Sequence, residues 1–230
     1  MCFVGREIEI RKLSVALEKG LNVIVMGHYG IGRTSLVKAV SRKDLNYRRF
    51  VFVDFSKTAG ETCKKLVAEL QPALGARKDL RTLRYKSCRY LLVNIDFPNQ
   101  QKPVIVLDNI AKLTKQQLIF LRHLILEKRF QFVAIVESFL TKHALFLLRA
   151  ALYPSEMITL GHLNQQNTCA YFHCLSLKHH LQWTEDQIAF MSKIAGGYPL
   201  GMREIAQRKL NADQGEKKQS TGGDIAIDRP

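Results

Sequence analysis

The segment Gly27-His28-Tyr29-Gly30-Ile31-Gly32-Arg33-Thr34 constrains this chain more than any other, because it follows the phosphate-loop pattern GxxxxGK[ST] with arginine in place of lysine. An apolar run, Leu21 to Met26, leads into it, and Ser35-Leu36-Val37-Lys38-Ala39-Val40 follows with helical spacing. Strand, loop and helix therefore come in the order the pattern needs. Gly27, Gly30 and Gly32 are expected to take positive φ and let backbone N–H groups approach phosphate oxygens, with the dipole of the next helix behind them. Contacts to a bound nucleotide are expected from Gly27, His28, Tyr29, Gly30, Ile31, Gly32, Arg33, Thr34 and Ser35, and the Thr34 hydroxyl is placed for magnesium. Arginine at 33 keeps the charge of the usual lysine, but its guanidinium is longer, planar and forked, so the geometry at the terminal phosphates changes.

A second element belongs with the loop. Pro103-Val104-Ile105-Val106-Leu107-Asp108-Asn109 is an apolar run ending in an acid, the form of a buried parallel strand whose carboxyl end organises magnesium. Another predicted strand, Phe50 to Asp54, lies between the two. The spacing reads as that of nucleoside triphosphatases that insert a strand between their two phosphate-site motifs. The implied ligands are ATP or ADP with Mg2+, the metal being held by Thr34 and Asp108. This class usually carries a glutamate after the aspartate to activate the attacking water. Asn109 cannot take a proton, although its amide can hold a water.

Ahead of the loop, Phe3-Val4-Gly5-Arg6-Glu7-Ile8-Glu9-Ile10 resembles the opening segment of AAA+ proteins near the archaeal ATPase, origin-licensing ATPase and STAND families. In those families this segment lies beside the adenine, which implies cofactor contacts from Phe3, Val4, Gly5 and Arg6. Ala195-Gly196-Gly197-Tyr198-Pro199-Leu200 is similar to the G-x-P segment of the small helical lid of STAND-like proteins, which adds Pro199 to the nucleotide contacts. Leu160-Gly161-His162-Leu163 resembles their passage from the last core strand into that lid, so the likeness covers about residues 3 to 210. It implies catalytic roles for Asp108 and Asn109, for Ser138 as a sensor of the terminal phosphate, for Arg149 as the arginine that reaches a neighbour's nucleotide, and for Arg203 as a second sensor in the lid. Glu137, one strand over from Asp108, reads either as a displaced base or as a cap for the next helix, and the cap is preferred.

The coarse map alternates strand and helix, which implies an α/β fold with a three-layer parallel sheet of the P-loop type and a small all-α lid. Predicted strands are Leu21 to Met26, Phe50 to Asp54, Val104 to Leu107, Phe132 to Val136 and Met157 to Leu160. Predicted helices are Gly5 to Lys19, Arg33 to Ser41, Thr58 to Leu70, Leu80 to Asn94, Lys115 to Lys128 and Leu140 to Leu152, then Gln165 to Leu181, Glu185 to Ala195 and Leu200 to Leu210. The expected organisation is a nucleotide-binding core at 1–161, a helical lid at 162–211 and a disordered tail at 212–230, where apolar residues almost vanish.

A chain of 230 residues with 47% hydrophobic content can bury one substantial core and a small satellite domain. No apolar stretch reaches membrane-spanning length and no signal-peptide layout is visible, so a cytoplasmic location is expected. The five cysteines, Cys2, Cys63, Cys88, Cys169 and Cys174, have no metal-site spacing and are expected to be reduced. The net charge of +15 points to an anionic partner. Arg77, Lys78, Arg81, Arg84, Lys86 and Arg89 crowd one helical region with Tyr85 and Tyr90 among them, while Arg42, Lys43, Arg48 and Arg49 flank the second strand. DNA or another polyanion and a solvated helix face both explain such a run.

The sequence thus points to an ATP-binding AAA+ or STAND-like switch, in which nucleotide sets the relation of core to lid and so the contact with an effector protein or with further copies of the chain. If active, it is an ATPase with weak turnover, because Arg33 and Asn109 replace the usual lysine and glutamate. The alternative is a non-catalytic DNA-binding or DNA-loading factor that keeps the ATPase shape. A conventional ATPase that tolerates both replacements is a third reading.

Overall fold

A computed structural model describes residues 3–44, 48–72, 82–97 and 102–220. The described residues divide into two compact units, one formed by Arg6–Gly161 and the other by His162 onward together with the N-terminal residues through Gly5.

The larger unit contains β1 (Asn22–Gly27), β2 (Phe50–Asp54), β3 (Val104–Ile110), β4 (Gln131–Glu137) and β5 (Ser155–Leu160), in one sheet of order β2-β3-β4-β1-β5. Every neighbouring pair is parallel. Central β3 and β4 are covered on both faces, so their sequences read as continuous apolar runs, whereas edge strands β2 and β5 alternate in exposure. This alternation fixes register, since a one-residue slip would turn each apolar set to solvent.

Helices cover both faces. Helices α1 (Glu7–Glu18) and α2 (Arg33–Lys43) pack together and against β1. Helices α3 (Ala59–Leu70), α4 (Tyr85–Val93), α5 (Lys115–Leu126) and α6 (Lys142–Ala151) enclose a core that includes Phe55, Leu66, Leu92, Phe120 and Phe132. Helices α3 and α5 begin with capping boxes, Thr58 with Glu61 and Thr114 with Gln117. At the other end of α3, the Arg49 guanidinium donates to the carbonyls of Glu69 and Leu70, which the helix leaves unpaired.

The smaller unit holds α7 (Gln165–Lys178), α8 (Glu185–Ala195) and α9 (Pro199–Ser220), packed around Phe172, Trp183, Ile188, Met191 and Met202. Gly196 ends α8 in the left-handed conformation at φ 54°, and Gly197 follows at φ 72°. A Cβ on Gly197 would lie 1.9 Å from the Leu163 carbonyl oxygen, so the second glycine is required by close backbone approach. The Gly197 carbonyl accepts a hydrogen bond from the Leu163 N–H at 2.8 Å. Gly5 meets the same constraint, because a Cβ there would stand 2.5 Å from the Asn167 side chain of α7.

The structure differs from the sequence expectation at several ends. Helix α9 continues to Ser220, past the boundary at 212 where a disordered tail is expected to begin, because Ala, Gln, Glu and Lys are good helix formers. Residues 221–230 lie outside the described part, as do Arg77, Lys78 and Arg81. Strand β3 runs on through Asp108 and Asn109 to Ile110, three residues past the expected end at Leu107, with a register shift between Leu107 and Ile110. Cys63, Cys88 and Cys169 are free thiols, whereas Cys174 is disulfide-bonded, which corrects the expectation of reduced cysteines throughout.

Candidate functional site

The parallel sheet gathers the carboxyl ends of β1, β2, β3 and β4 on one edge, and the loop from Gly27 to Gly32 leaves β1 there. Gly30 and Gly32 have φ of 73° and 95°, as expected of a loop that turns its N–H groups inward. Gly27 does not share that conformation. It is needed for space instead, since a Cβ would stand 2.8 Å from the Ile31 side chain and 3.1 Å from the Leu160 carbonyl oxygen. Helix α2 starts on Gly32 with no side-chain cap and no acid in its first turn. Its leading N–H groups are left for an anion.

Around this loop the structure assembles a clamp. Buried Arg6 donates to the Gly161 carbonyl at 2.6 Å and to the Ile31 carbonyl at 3.4 Å, and pairs with Glu9 at 3.0 Å. One arginine thereby ties the start of α1 to the phosphate loop and to the residue after β5. His28, in the loop, meets Ser138 beyond β4, with Nδ1 and Oγ 3.0 Å apart. Ile31 is buried while Tyr29 is 71% exposed, so these loop neighbours serve opposite ends, packing and open surface.

Thr34 and Asp108 come together. The Thr34 hydroxyl lies 3.2 and 3.1 Å from the two carboxylate oxygens of Asp108, and the Asn109 N–H donates to the Asp108 carboxylate at 2.9 Å. A hydroxyl and a carboxylate are hard oxygen donors and suit magnesium, which takes its remaining ligands from phosphates and water. Among the described residues there is no group of three or more His, Cys, Asp or Glu that could hold a metal by itself, and Cys169, His173 and Cys174 form none.

Arg33 goes elsewhere. Its guanidinium donates to the Val136 carbonyl and to Glu137 Oε1, and both side chains are buried. The charge expected at the terminal phosphates is thus matched by a carboxylate at the end of β4. Glu137 does not cap the next helix as expected. Thr141 does, accepting from the Ala144 N–H at 3.2 Å. The other Glu137 oxygen, Oε2, is buried without a hydrogen-bond partner among the described residues.

Asn109 shows the consequence of the β3 irregularity. It sits at φ 62°, a left-handed conformation that asparagine tolerates better than most residues, and the bulge turns its side chain toward β2. There Asn109 Nδ2 donates to Asp54 Oδ1 at 3.3 Å. The same Asp54 oxygen accepts from the Ser56 hydroxyl at 2.7 Å and the Ser56 N–H at 3.0 Å. The Ser56 hydroxyl holds the Asp54 carboxyl below its usual range, against slight desolvation; the Ser56 N–H, Asn109 and Lys57 add to the lowering. Sequence reasoning missed Asp54, although it ends a predicted strand as Asp108 does.

The remaining expected residues are dispersed. Ser35 is half-buried in the first turn of α2, and Arg149 is exposed in the last turn of α6. Phe3, Val4 and Gly5 belong to the smaller unit with Pro199 and Arg203. Pro199 opens α9, where a missing N–H costs nothing, and Arg203 is exposed on that helix. Part of the basic excess is structural. Arg48 pairs with Asp44 at 2.9 Å, Arg49 caps α3, and Arg42 and Lys43 occupy the last turn of α2, where cations suit the helix dipole. Arg84 and Lys86 are exposed, and Arg89 lies over the Tyr85 ring at 5.9 Å.

A phosphate loop on β1, an acid at the end of β3 and one strand between them define the core, and the AAA domain model matches the chain over residues 17–142. The chain belongs to the AAA domain family. Solved structures similar to this AAA domain include Orc1 of Aeropyrum pernix in complex with DNA, at TM-score 0.67 and 16% identity over 90% of this chain and 62% of that one. Cdc6p of Pyrobaculum aerophilum is similar at TM-score 0.65 and 16% identity, again over 90% and 62% of the respective chains. A STAND protein with a tetratricopeptide repeat sensor from Pyrococcus horikoshii aligns at TM-score 0.54 and 18% identity over 89% of this chain and 30% of its own. This AAA domain therefore spans less than two thirds of those proteins, and at such identities the likeness is one of fold. No curated protein shows a significant sequence match. Among the described residues no helix is long and apolar enough to cross a membrane.

Proposed function

We propose that this AAA domain binds ATP with magnesium at the Gly27–Thr34 loop and acts as a nucleotide-dependent switch with slow hydrolysis. The observation that carries the reading is the meeting of the Thr34 hydroxyl with both Asp108 oxygens, at 3.2 and 3.1 Å, beside a helix whose first N–H groups have no side-chain cap. In that role Thr34 and Asp108 hold the metal, and Gly30, Gly32 and the first turn of α2 bind phosphate oxygens. Slow turnover follows from Arg33, whose charge Glu137 already engages, and from Asn109 in place of a carboxylate. The proposed organisation remains a nucleotide-binding core through 161 followed by a helical lid, with an effector protein or further copies of the chain as the reader of its state. Titration with ATP, with and without magnesium, tests the reading. Saturable binding that strengthens with the metal is expected, and no binding in either condition overturns it.

A second reading, contact with DNA or another polyanion, rests on the exposed Arg84 and Lys86 and on the fold shared with an Orc1 protein solved with DNA. Reversing both charges is expected to flatten the salt dependence of DNA retention by about two units of log–log slope. Absence of retention at low salt removes this reading and leaves the nucleotide site untouched.

A further inference from the structure

The carboxylate missing from position 109 has a counterpart one strand away. Asp54 ends β2 in register with Asp108 on β3, on the sheet edge that carries the phosphate loop. It is exposed, and three donors converge on its Oδ1: the Ser56 hydroxyl, the Ser56 N–H and Asn109 Nδ2. Its Oδ2 accepts no hydrogen bond among the described residues. One oxygen therefore fixes the carboxylate and the other is open to water. Glu137, the acid on the opposite neighbour of β3, cannot serve, because it is buried and held by Arg33.

The Asn109–Asp54 contact also sets the amide. A carboxylate only accepts, so Asn109 must present its NH2 group to Asp54, and its carbonyl oxygen is left as the acceptor. A water between the two residues can then donate one hydrogen to Asn109 Oδ1 and the other to Asp54 Oδ2, with its lone pair directed away from both. The β3 bulge brings this about, since it turns a residue at φ 62° toward the neighbouring strand.

We infer that Asp54 is the general base of this site, working with Asn109 as the residue that orients the attacking water. The inference rests on the nucleotide reading above. In the step, the water oxygen forms a bond to the terminal phosphorus of ATP while the bond from that phosphorus to the bridging oxygen breaks. ADP leaves with the electron pair, and the proton of the water passes to Asp54 Oδ2 and from there to solvent. The carboxylate then stands on β2 and the amide on β3, and turnover stays slow because Glu137 engages the Arg33 charge.

The test uses Asp54→Asn in the full chain, because an amide can still accept from Ser56 through its oxygen and so keep the turn after β2. Turnover of ATP is expected to fall by about 100-fold, the usual contribution of a general base, with the Kd for Mg-ATP and the Tm little changed. The double variant Asp54→Asn, Asn109→Glu returns a carboxylate to the pair from the other strand and is expected to regain most of the lost turnover. Turnover of Asp54→Asn within threefold of wild type overturns the inference. So does a loss of turnover that comes with an equal loss of Mg-ATP affinity or of thermal stability, which marks Asp54 as structural. Wild-type protein that binds Mg-ATP yet never hydrolyses it also overturns the inference and leaves the nucleotide reading standing, whereas a wild type that binds no ATP removes both.

Discussion

Arg33 and Thr34 are adjacent residues at the start of α2, with opposite fates. Thr34 faces the end of β3 and meets Asp108 through a partly exposed pair of polar contacts. Arg33 faces the end of β4, where Val136 and Glu137 bind its guanidinium in a buried site. On the β3 side the acid remains open to a metal. On the β4 side the charge has found its partner within the protein. A phosphate loop can thus keep its backbone geometry while its principal cation is used for packing, because backbone N–H groups and helix dipole depend on the glycines and not on residue 33.

The contrast breaks most visibly at Glu137. Removing one partner of a buried ion pair leaves an uncompensated charge, so Glu137→Ala is expected to cost ~3–5 kcal/mol. Thermal unfolding then shows a Tm lower by roughly 10 °C. Mg-ATP should recover more of that loss than it adds to the wild type, because the freed guanidinium then finds phosphate oxygens. A variant as stable as wild type shows that the pair contributes little.

On the β3 side the expected effect is on binding instead. Asp108→Ala and Thr34→Ala are each expected to weaken the magnesium-dependent part of ATP affinity by about 100-fold, ~2.7 kcal/mol, without a large change in Tm. The same titration in a chelator should make wild type and both variants alike. Equal affinities with magnesium present would remove Thr34 and Asp108 from the metal site.

The smallest expected change comes from Arg33→Lys. A lysine cannot reproduce the forked contact with Val136 and Glu137, so its ammonium is freer to turn to the phosphates. Turnover is expected to rise by about tenfold, ~1.4 kcal/mol in barrier. A further fall in activity would show that the site depends on the Arg33–Glu137 pair.

Much of this was legible in the chain because the signals are local. The glycine spacing from 27 to 32 and the apolar runs before Gly27 and Asp108 predict strand, loop and acid from short-range sterics and from burial of both sheet faces. The Gly196-Gly197-Tyr198-Pro199 turn was visible too, although the sequence could not show that Gly197 must make room for the Leu163 carbonyl. Gly27 was recognised for the wrong reason. Its position in the pattern suggests positive φ, whereas the packing of Ile31 and Leu160 is what excludes a side chain. Through Ser220 the chain continues α9 where the sequence reading expects disorder, since low apolar content argues against packing but not against continuation of an established helix.

The α/β class, the phosphate loop, the acid that joins it and the order of strands and helices all follow from residue type and spacing along the chain. Tertiary structure alone decided the charge partners. Arg33 could pair with a phosphate or with any acid on the sheet edge, and the order β2-β3-β4-β1-β5, which sets β4 beside β1, is what brings Glu137 to it. Likewise Asn109 reaches Asp54 only because β2 lies beside β3 and the strand bulges at Asp108–Asn109. Such contacts join residues far apart in the chain, where the distance and burial that govern electrostatic pairing are set by the assembled sheet.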